Sequence, residues 1–251
     1  QYLKAENGRE HGIKPFTLID GIYNQEVTKE IEQLFNSVTF FPFPKPTALI
    51  KHLVYISQAQ KGDMILDFFS GSCTTAHAII DLNKEENLGL SFICVQLPEL
   101  TGIDSEAYSK GIKNIADIGK ERIRRVIKRI QEESVQADKK EKSLFGYGKN
   151  TTIQDLGFKV FKLVQSNFKL WEGSVDPKKE VVEKQLEMHV DHINPKSSQE
   201  DILFELLLKA GFELTTKIEK VPMFDKTVYS IEGGLMLVCL EKELTKEVIK
   251  A

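Results

Sequence analysis

Apolar positions along the chain recur at two spacings. Val27, Ile31, Leu34 and Phe35 fall three or four residues apart and predict an amphipathic helix over Gln25 to Phe35, after a polar start and a short apolar piece from Pro15 to Ile19. FFPFPKPTALI (Phe40 to Ile50) then places three prolines within five residues, which forces an extended, loop-like path. Thr47 is expected to cap a helix running to about Ser57. Past a Lys61-Gly62-Asp63 turn, MILDFF (Met64 to Phe69) is a short apolar run of strand length, read as a buried parallel strand. Ser70-Gly71-Ser72 ends it, Thr74 and Thr75 are placed to cap the next element, and Ala76 to Leu82 predicts a helix. LSFICVQL (Leu90 to Leu97) is a second strand candidate. Strand, small-residue turn, helix and strand make a βαβ unit, which closes right-handed in nearly all proteins.

Helical spacing returns at Ile115, Ile118, Ile123, Val126, Ile127 and Ile130, predicting a long helix from Ile115 to about Glu133. The charged, glycine-bearing stretch from Gln136 to Asn150 is expected to be a linker. GFKVFKL (Gly157 to Leu163) is strand-like and is followed by SNFKLW. A charged helix is expected from about Lys178 to Val190. Ser197-x-x-Glu200 resembles a capping box opening a helix through Lys209, stopped at Gly211. Phe212 to Glu219, Thr227 to Ile231 and Leu235 to Leu240 are strand candidates, the last two joined by a Glu232-Gly233-Gly234 turn. This order predicts an α/β part over residues 1–150 and a smaller α+β domain over 151–251. No internal repeat or low-complexity tract interrupts it.

Composition adds little to this picture and charge adds more. At 251 residues with 41% hydrophobic and 28% charged positions, the chain has the usage of one large or two modest globular domains. No window approaches the roughly 20 apolar residues of a membrane helix, and QYLKAENGRE is not a basic-then-apolar leader, so a soluble, cytoplasmic protein is expected. The net charge of −3 hides a split. Residues Lys110 to Asn150 hold 12 Lys/Arg against 6 Asp/Glu, whereas Trp171 to the end holds 11 against 16. A nucleic-acid-facing stretch followed by an acidic protein-facing one fits this, as does a solvated helix beside an acidic surface. Cys73, Cys94 and Cys239 show no C-x-x-C pairing, so neither a disulfide framework nor a zinc site is suggested. His189 and His192 have spacing that puts both on one helix face, yet without a third ligand pattern they are expected to be surface histidines.

DFFSGSCTTA is the turn from the first strand into its helix, the place where open parallel sheets bind ligands. Asp67 at the strand end is suited to accept hydrogen bonds from backbone or from an ammonium group. Ser70, Gly71, Ser72 and Cys73 are small enough for a ligand to approach the backbone. The turn is not G-x-G-x-x-G, and no G-x-x-x-x-G-K-[ST] occurs, which removes support for a dinucleotide or nucleoside-triphosphate site. A helix-opening turn with no ligand remains the plain alternative.

FPFPKPTALI followed about twenty residues later by ILDFFSGSCTTAHAI resembles the paired cofactor motifs of S-adenosylmethionine-dependent amino-methyltransferases acting on DNA. The order is that of the permuted β-type, with the Lys-Pro motif ahead of D-x-F-x-G-x-G. FICVQLPE (Phe92 to Glu99), IADIGKERIRRVIKRI (Ile115 to Ile130) and LGFKVFKLVQSNFKLW (Leu156 to Trp171) are similar to the methylation subunit of type III restriction-modification systems, from roughly Phe40 to the end. The resemblance implies a partial Rossmann-like methyltransferase sheet with a smaller α+β carboxyl-terminal domain, and S-adenosylmethionine as cofactor. It implies that Asp67, Phe69 and Gly71 shape the methionine pocket, with Phe68, Ser70, Ser72, Cys73 and Thr74 completing the turn. Lys45, Pro46 and Thr47 would close it from the neighbouring loop. The second strand ends Val95-Gln96-Leu97-Pro98-Glu99, so either Gln96, in the usual acidic place, or Glu99 would meet the ribose.

Two departures stand out. Cys73 occupies the family's final glycine position, where a Cβ at positive φ is strained and would crowd the cofactor, so Cys73→Gly is expected to tighten binding. The family also grips its flipped target base with Asp, Asn or Ser followed by two prolines and an aromatic residue. No such tetrapeptide occurs here; the only Asp-Pro is Asp176-Pro177, followed by Lys178. The chain is therefore expected to be the carboxyl-terminal, cofactor-binding portion of an adenine-N6 DNA methyltransferase, inactive alone. Double-stranded DNA, a second methylation subunit and a restriction subunit are the implied partners. Arg122, Arg124 and Arg125 would track DNA phosphates or form the solvated face of a packed helix. The alternatives are a non-catalytic assembly or DNA-binding module, and a methyltransferase for RNA or a small molecule, which the type III-like segments disfavour.

Overall fold

The computed structural model describes residues 19, 21–22, 24–36, 41, 43–145, 155–169, 179–190, 192–241 and 243–250. The expected apolar piece at 15–18, the far end of the linker at 146–150 and the Leu170-Trp171 pair lie outside these residues. The chain divides into two units, residues 1–157 and 158–251.

In the first unit, β1 (Met64–Asp67) lies parallel to β2 (Ser91–Cys94), with Asp67 opposite Cys94 at the carboxyl ends. The crossover is α3 (Thr74–Glu86), buried from Thr74 to Ile80 and again at Leu82. Val54 of α2 (Thr47–Ile56) packs with Ile79, Leu82 and Leu90, and Ile65 and Phe92 of the two strands join them. Full burial of one such side chain contributes about 1.5–3 kcal/mol. Truncating Ile79, which is wholly buried, to alanine would cost about 2–5 kcal/mol and is the single change best placed to break this layer.

Side chains alternate across a strand, so Met64, Leu66 and Ile93 point away from that core and are exposed. This corrects the expectation of a strand buried on both faces. A short apolar run of strand length suggests two covering layers, whereas among the described residues the helices cover one. The described residues of this unit hold two parallel strands, too few for a doubly wound sheet, and the fold is a mixed α/β one.

α1 (Asn24–Phe35) buries Val27, Ile31 and Phe35 against Ala107 of α4 (Glu106–Ser109) and Ile118 of α5 (Ile115–Phe145). The long helix runs 31 residues and takes in much of the expected linker. From Lys120 to Phe145 there is neither glycine nor proline, and charge alone does not stop a helix. Two cap expectations are also corrected. Pro46 occupies the N-cap of α2, with Thr47 already helical, and Cys73 occupies the N-cap of α3 in left-handed geometry, φ 57° and ψ 43°. The hydroxyls of Thr47, Thr74 and Thr75 have other partners.

The second unit carries an antiparallel sheet in the order β3 (Ile218–Met223), β4 (Lys226–Ile231), β5 (Met236–Cys239). Tyr229, Ile231 and Val238 bury against Leu203 and Leu207 of α7 (Gln199–Lys209), while α6 (Lys179–Val190) and α8 (Lys246–Lys250) flank this core in sequence. The helix cap falls one residue later than expected, Ser198 Oγ accepting from Asp201 N at 3.1 Å. Phe212 to Lys217 precedes the first strand, and 157–163 is in no strand. In that segment Phe161 meets Phe204 edge-on, ring centroids 5.3 Å apart. His192 lies beyond α6 and stacks on Phe168, so the His-x-x-His pair does not share a helix face. Glu205 accepts from Ser166 Oγ, Asn167 N and Asn167 Nδ2 and pairs with Lys209 at 2.7 Å. Partial burial opposes its charge, but these donors hold its carboxyl down at about 2.

Candidate functional site

The turn leaving β1 is tied to both strand ends. Asp67 Oδ1 accepts from Phe69 N at 3.2 Å and Oδ2 from Thr75 Oγ1 at 2.5 Å, which fixes the bend and anchors it to the first turn of α3. Ser70 N donates to the Val95 carbonyl at 3.1 Å, and Val95 N to the Asp67 carbonyl at 2.8 Å. Gly71 N donates to Gln96 Oε1 at 2.7 Å. Gln96 thus clamps the exit of β2 to the middle of the turn. Gly71 sits at φ 51°, and a Cβ there would stand 3.7 Å from the ring of Phe41.

Among the thirteen residues singled out from sequence, orientation differs. Ser70, Ser72, Cys73 and Thr74 are buried, as are Pro46 and Thr47. Asp67, Gly71 and Gln96 are half-buried, and Lys45 and Glu99 are exposed. Phe68 and Phe69 are 60% and 82% exposed, their rings 5.1 Å apart. Glu99 is held only through its carbonyl, which accepts from Ile115 N at 2.9 Å among the bonds described.

Beneath the turn lies a buried cation. Arg122 of α5 is 0% exposed; its Nη1 donates to Ser72 Oγ at 3.0 Å and Thr74 Oγ1 at 2.8 Å, and its Nε to His77 Nδ1 at 3.2 Å. Nη2 donates to Glu30 Oε2 of α1 at 3.4 Å, and the other oxygen of Glu30 accepts from Thr47 Oγ1. Burial lowers the guanidinium to about 10, still charged at neutral pH, with Glu30 opposing the shift. Burial also lowers His77, so it is neutral. Since Nδ1 accepts from Arg122, the His77 proton sits on Nε2 and faces Asp81 Oδ2 at 3.3 Å. Arg129 completes the cluster at 2.6 Å from Asp81 Oδ1. Arg122 is therefore closed to DNA phosphates, and Arg125 is bound to Glu121 at 2.7 Å and over the Phe35 ring.

Cys73 turns its thiol inward. Its Sγ donates to Ser70 Oγ at 3.6 Å, and the neighbouring Cys94 thiol on β2 holds Cys73 below its ordinary value while Cys94 itself, with burial, is pushed up. Sequence distance had hidden this pair, and it hid the pairing of Arg122 with Glu30 as well. A signal for Arg122 was present: Ile118, Arg122 and Val126 stand four apart on the buried stripe of α5, where a lone arginine demands an internal partner.

A DNA methylase family profile matches residues 17–114, spanning both cofactor-like segments. The Mod subunit of the type III restriction-modification enzyme EcoPI from Escherichia phage P1 is 31% identical over 225 residues, 89% of this chain and 31% of its own. The chain is similar to type III Mod subunits. A second, the StyLTI Mod subunit of Salmonella typhimurium, is 34% identical over 139 residues, 55% of this chain and 19% of its own. The type II methyltransferase M.KpnI of Klebsiella pneumoniae is 33% identical over 120 residues, 47% of this chain and 28% of its own. The Mod-like chain thus spans less than a third of the length of the curated relatives named here. Among its described residues no helix is long and apolar enough to cross a membrane.

Proposed function

We propose that the Mod-like chain binds S-adenosylmethionine at the 67–74 turn and serves methylation of adenine N6 in double-stranded DNA. One observation carries this reading: the bond from Gly71 N to Gln96 Oε1 fixes a small-residue turn at the carboxyl ends of two parallel strands. The surrounding groups fit the cofactor. Its carboxylate suits the exposed ammonium of Lys45, its ammonium suits Asp67, its ribose hydroxyls suit Gln96 or Glu99, and its adenine suits the exposed rings of Phe68 and Phe69. Ser70, Ser72, Cys73 and Thr74 would contribute backbone, since their side chains face inward. When bound, the cofactor supplies an electrophilic sulfonium methyl. The chain's own residues orient it, and alignment is the main source of rate in such a transfer.

The tetrapeptide that holds a target amine does not occur in the sequence, so this chain by itself is proposed to bind cofactor without transferring methyl. A second methylation subunit and a restriction subunit are the proposed protein partners, with the acidic second unit as their contact, and the cytoplasm is the proposed compartment. A non-catalytic assembly module is the competing reading, favoured by Cys73 at φ 57° in the turn. Calorimetric titration with S-adenosylmethionine separates the two. Saturable binding supports the proposal, and no heat from folded protein supports the module.

A further inference from the structure

We propose that Glu30 and Arg122 are positioning residues that couple the two cofactor segments to each other. The inference rests on the cofactor reading above for its purpose, though not for its geometry. The Lys45-Pro46-Thr47 loop and the 67–74 turn are far apart in sequence, and each hands a hydroxyl to the same buried ion pair. Thr47 Oγ1 donates to one oxygen of Glu30, and the other oxygen receives Arg122 Nη2 at 3.4 Å. Arg122 Nη1 then reaches Ser72 Oγ and Thr74 Oγ1 at 3.0 and 2.8 Å.

A guanidinium with no solvent access has no water to replace a lost partner, so displacement at one end must be answered at the other. Thr47 makes its bond from the first residue of α2, and Ser72 and Thr74 bracket the N-cap of α3. The pair therefore sets how the loop stands against the turn. Arg122 is wholly buried, and the pair acts through the hydroxyls of Thr47, Ser72 and Thr74.

The test uses the full chain and two readouts. Amide hydrogen exchange, without ligand, is followed at residues 70–74 and 45–49 in wild type, Thr47→Val, Glu30→Gln and the double variant. Ile79 and Leu82 report global unfolding. Coupling predicts that Thr47→Val speeds exchange at 70–74 by about tenfold with Ile79 unchanged, and that the effect vanishes in the Glu30→Gln background. A merely structural role would raise exchange everywhere or add in the double variant, and either result overturns the proposal. Affinity for S-adenosylmethionine is then measured on the same proteins. Coupled exchange with wild type that binds no cofactor upholds the linkage and removes the cofactor reading. Cofactor binding with uncoupled exchange removes the linkage alone.

Discussion

Gly119 of α5 stands where any side chain would collide with Cys73: a Cβ built there lies 2.5 Å from Cys73 Sγ and 3.3 Å from Cys73 Cβ. The cysteine, at a position where the family resemblance implies glycine, is thus accommodated by a glycine on the facing helix. Its thiol fills that space and is only 7% exposed, so it does not project toward the open side of the turn.

A double-variant cycle tests this contact. Gly119→Ala overpacks it and should destabilise the chain by about 1–3 kcal/mol in denaturant unfolding. In a Cys73→Gly background the same change should cost far less, because the colliding sulfur is gone. Equal costs in the two backgrounds would mean that the helix and turn do not meet as described.

Cys73→Gly also tests whether cysteine crowds the cofactor, as its place in the motif suggests. The inward thiol predicts unchanged affinity for S-adenosylmethionine, while relief of the left-handed backbone works on stability, where such a conformation costs roughly 1–2 kcal/mol. Tighter binding in a titration would restore the crowding account.

Much of the first unit was legible because its signals are local. The spacing of Val27, Ile31 and Phe35 gave α1, and Gly62 and the Ser-Gly-Ser run bracketed β1. Expectations failed where a local signal stands for a contact made elsewhere. Thr47, Thr74 and Thr75 look like caps, yet their hydroxyls bond to Glu30, Arg122 and Asp67. Val160 and Phe161 look like a strand, but no partner strand lies beside them among the described residues, and a strand exists only as a pair. Residues Gln96 and Gly71 were each marked by the motif; that they bond to one another required the parallel register of β1 and β2.

DNA contact, where it occurs through α5, should use the outward charges. Arg124 and Lys128 are exposed, while Arg122 is not. Replacing Arg124 and Lys128 together by alanine should weaken retardation of duplex DNA and reduce the salt slope by about 2. An unaltered slope would assign the basic face of α5 to solvent alone.

The second unit carries its own pH signature. The depressed Glu205 contributes stability that is fully present above its ordinary value near 4.5 and is lost as pH falls toward about 2. Unfolding of the chain between pH 6 and pH 2.5 should therefore steepen below 4.5, and Glu205→Gln should flatten that limb while lowering stability at pH 7. A variant with the wild-type profile would show that Glu205 titrates the same way folded and unfolded.

On the proposed reading, the turn held between Asp67 and Gln96 receives S-adenosylmethionine. Isothermal titration of the folded chain tests it most directly. A saturable 1:1 heat is expected, weakened by Phe69→Ala and Lys45→Ala, both exposed positions whose loss leaves the core intact. Absence of heat from protein shown to be folded, or binding indifferent to both substitutions, would contradict it.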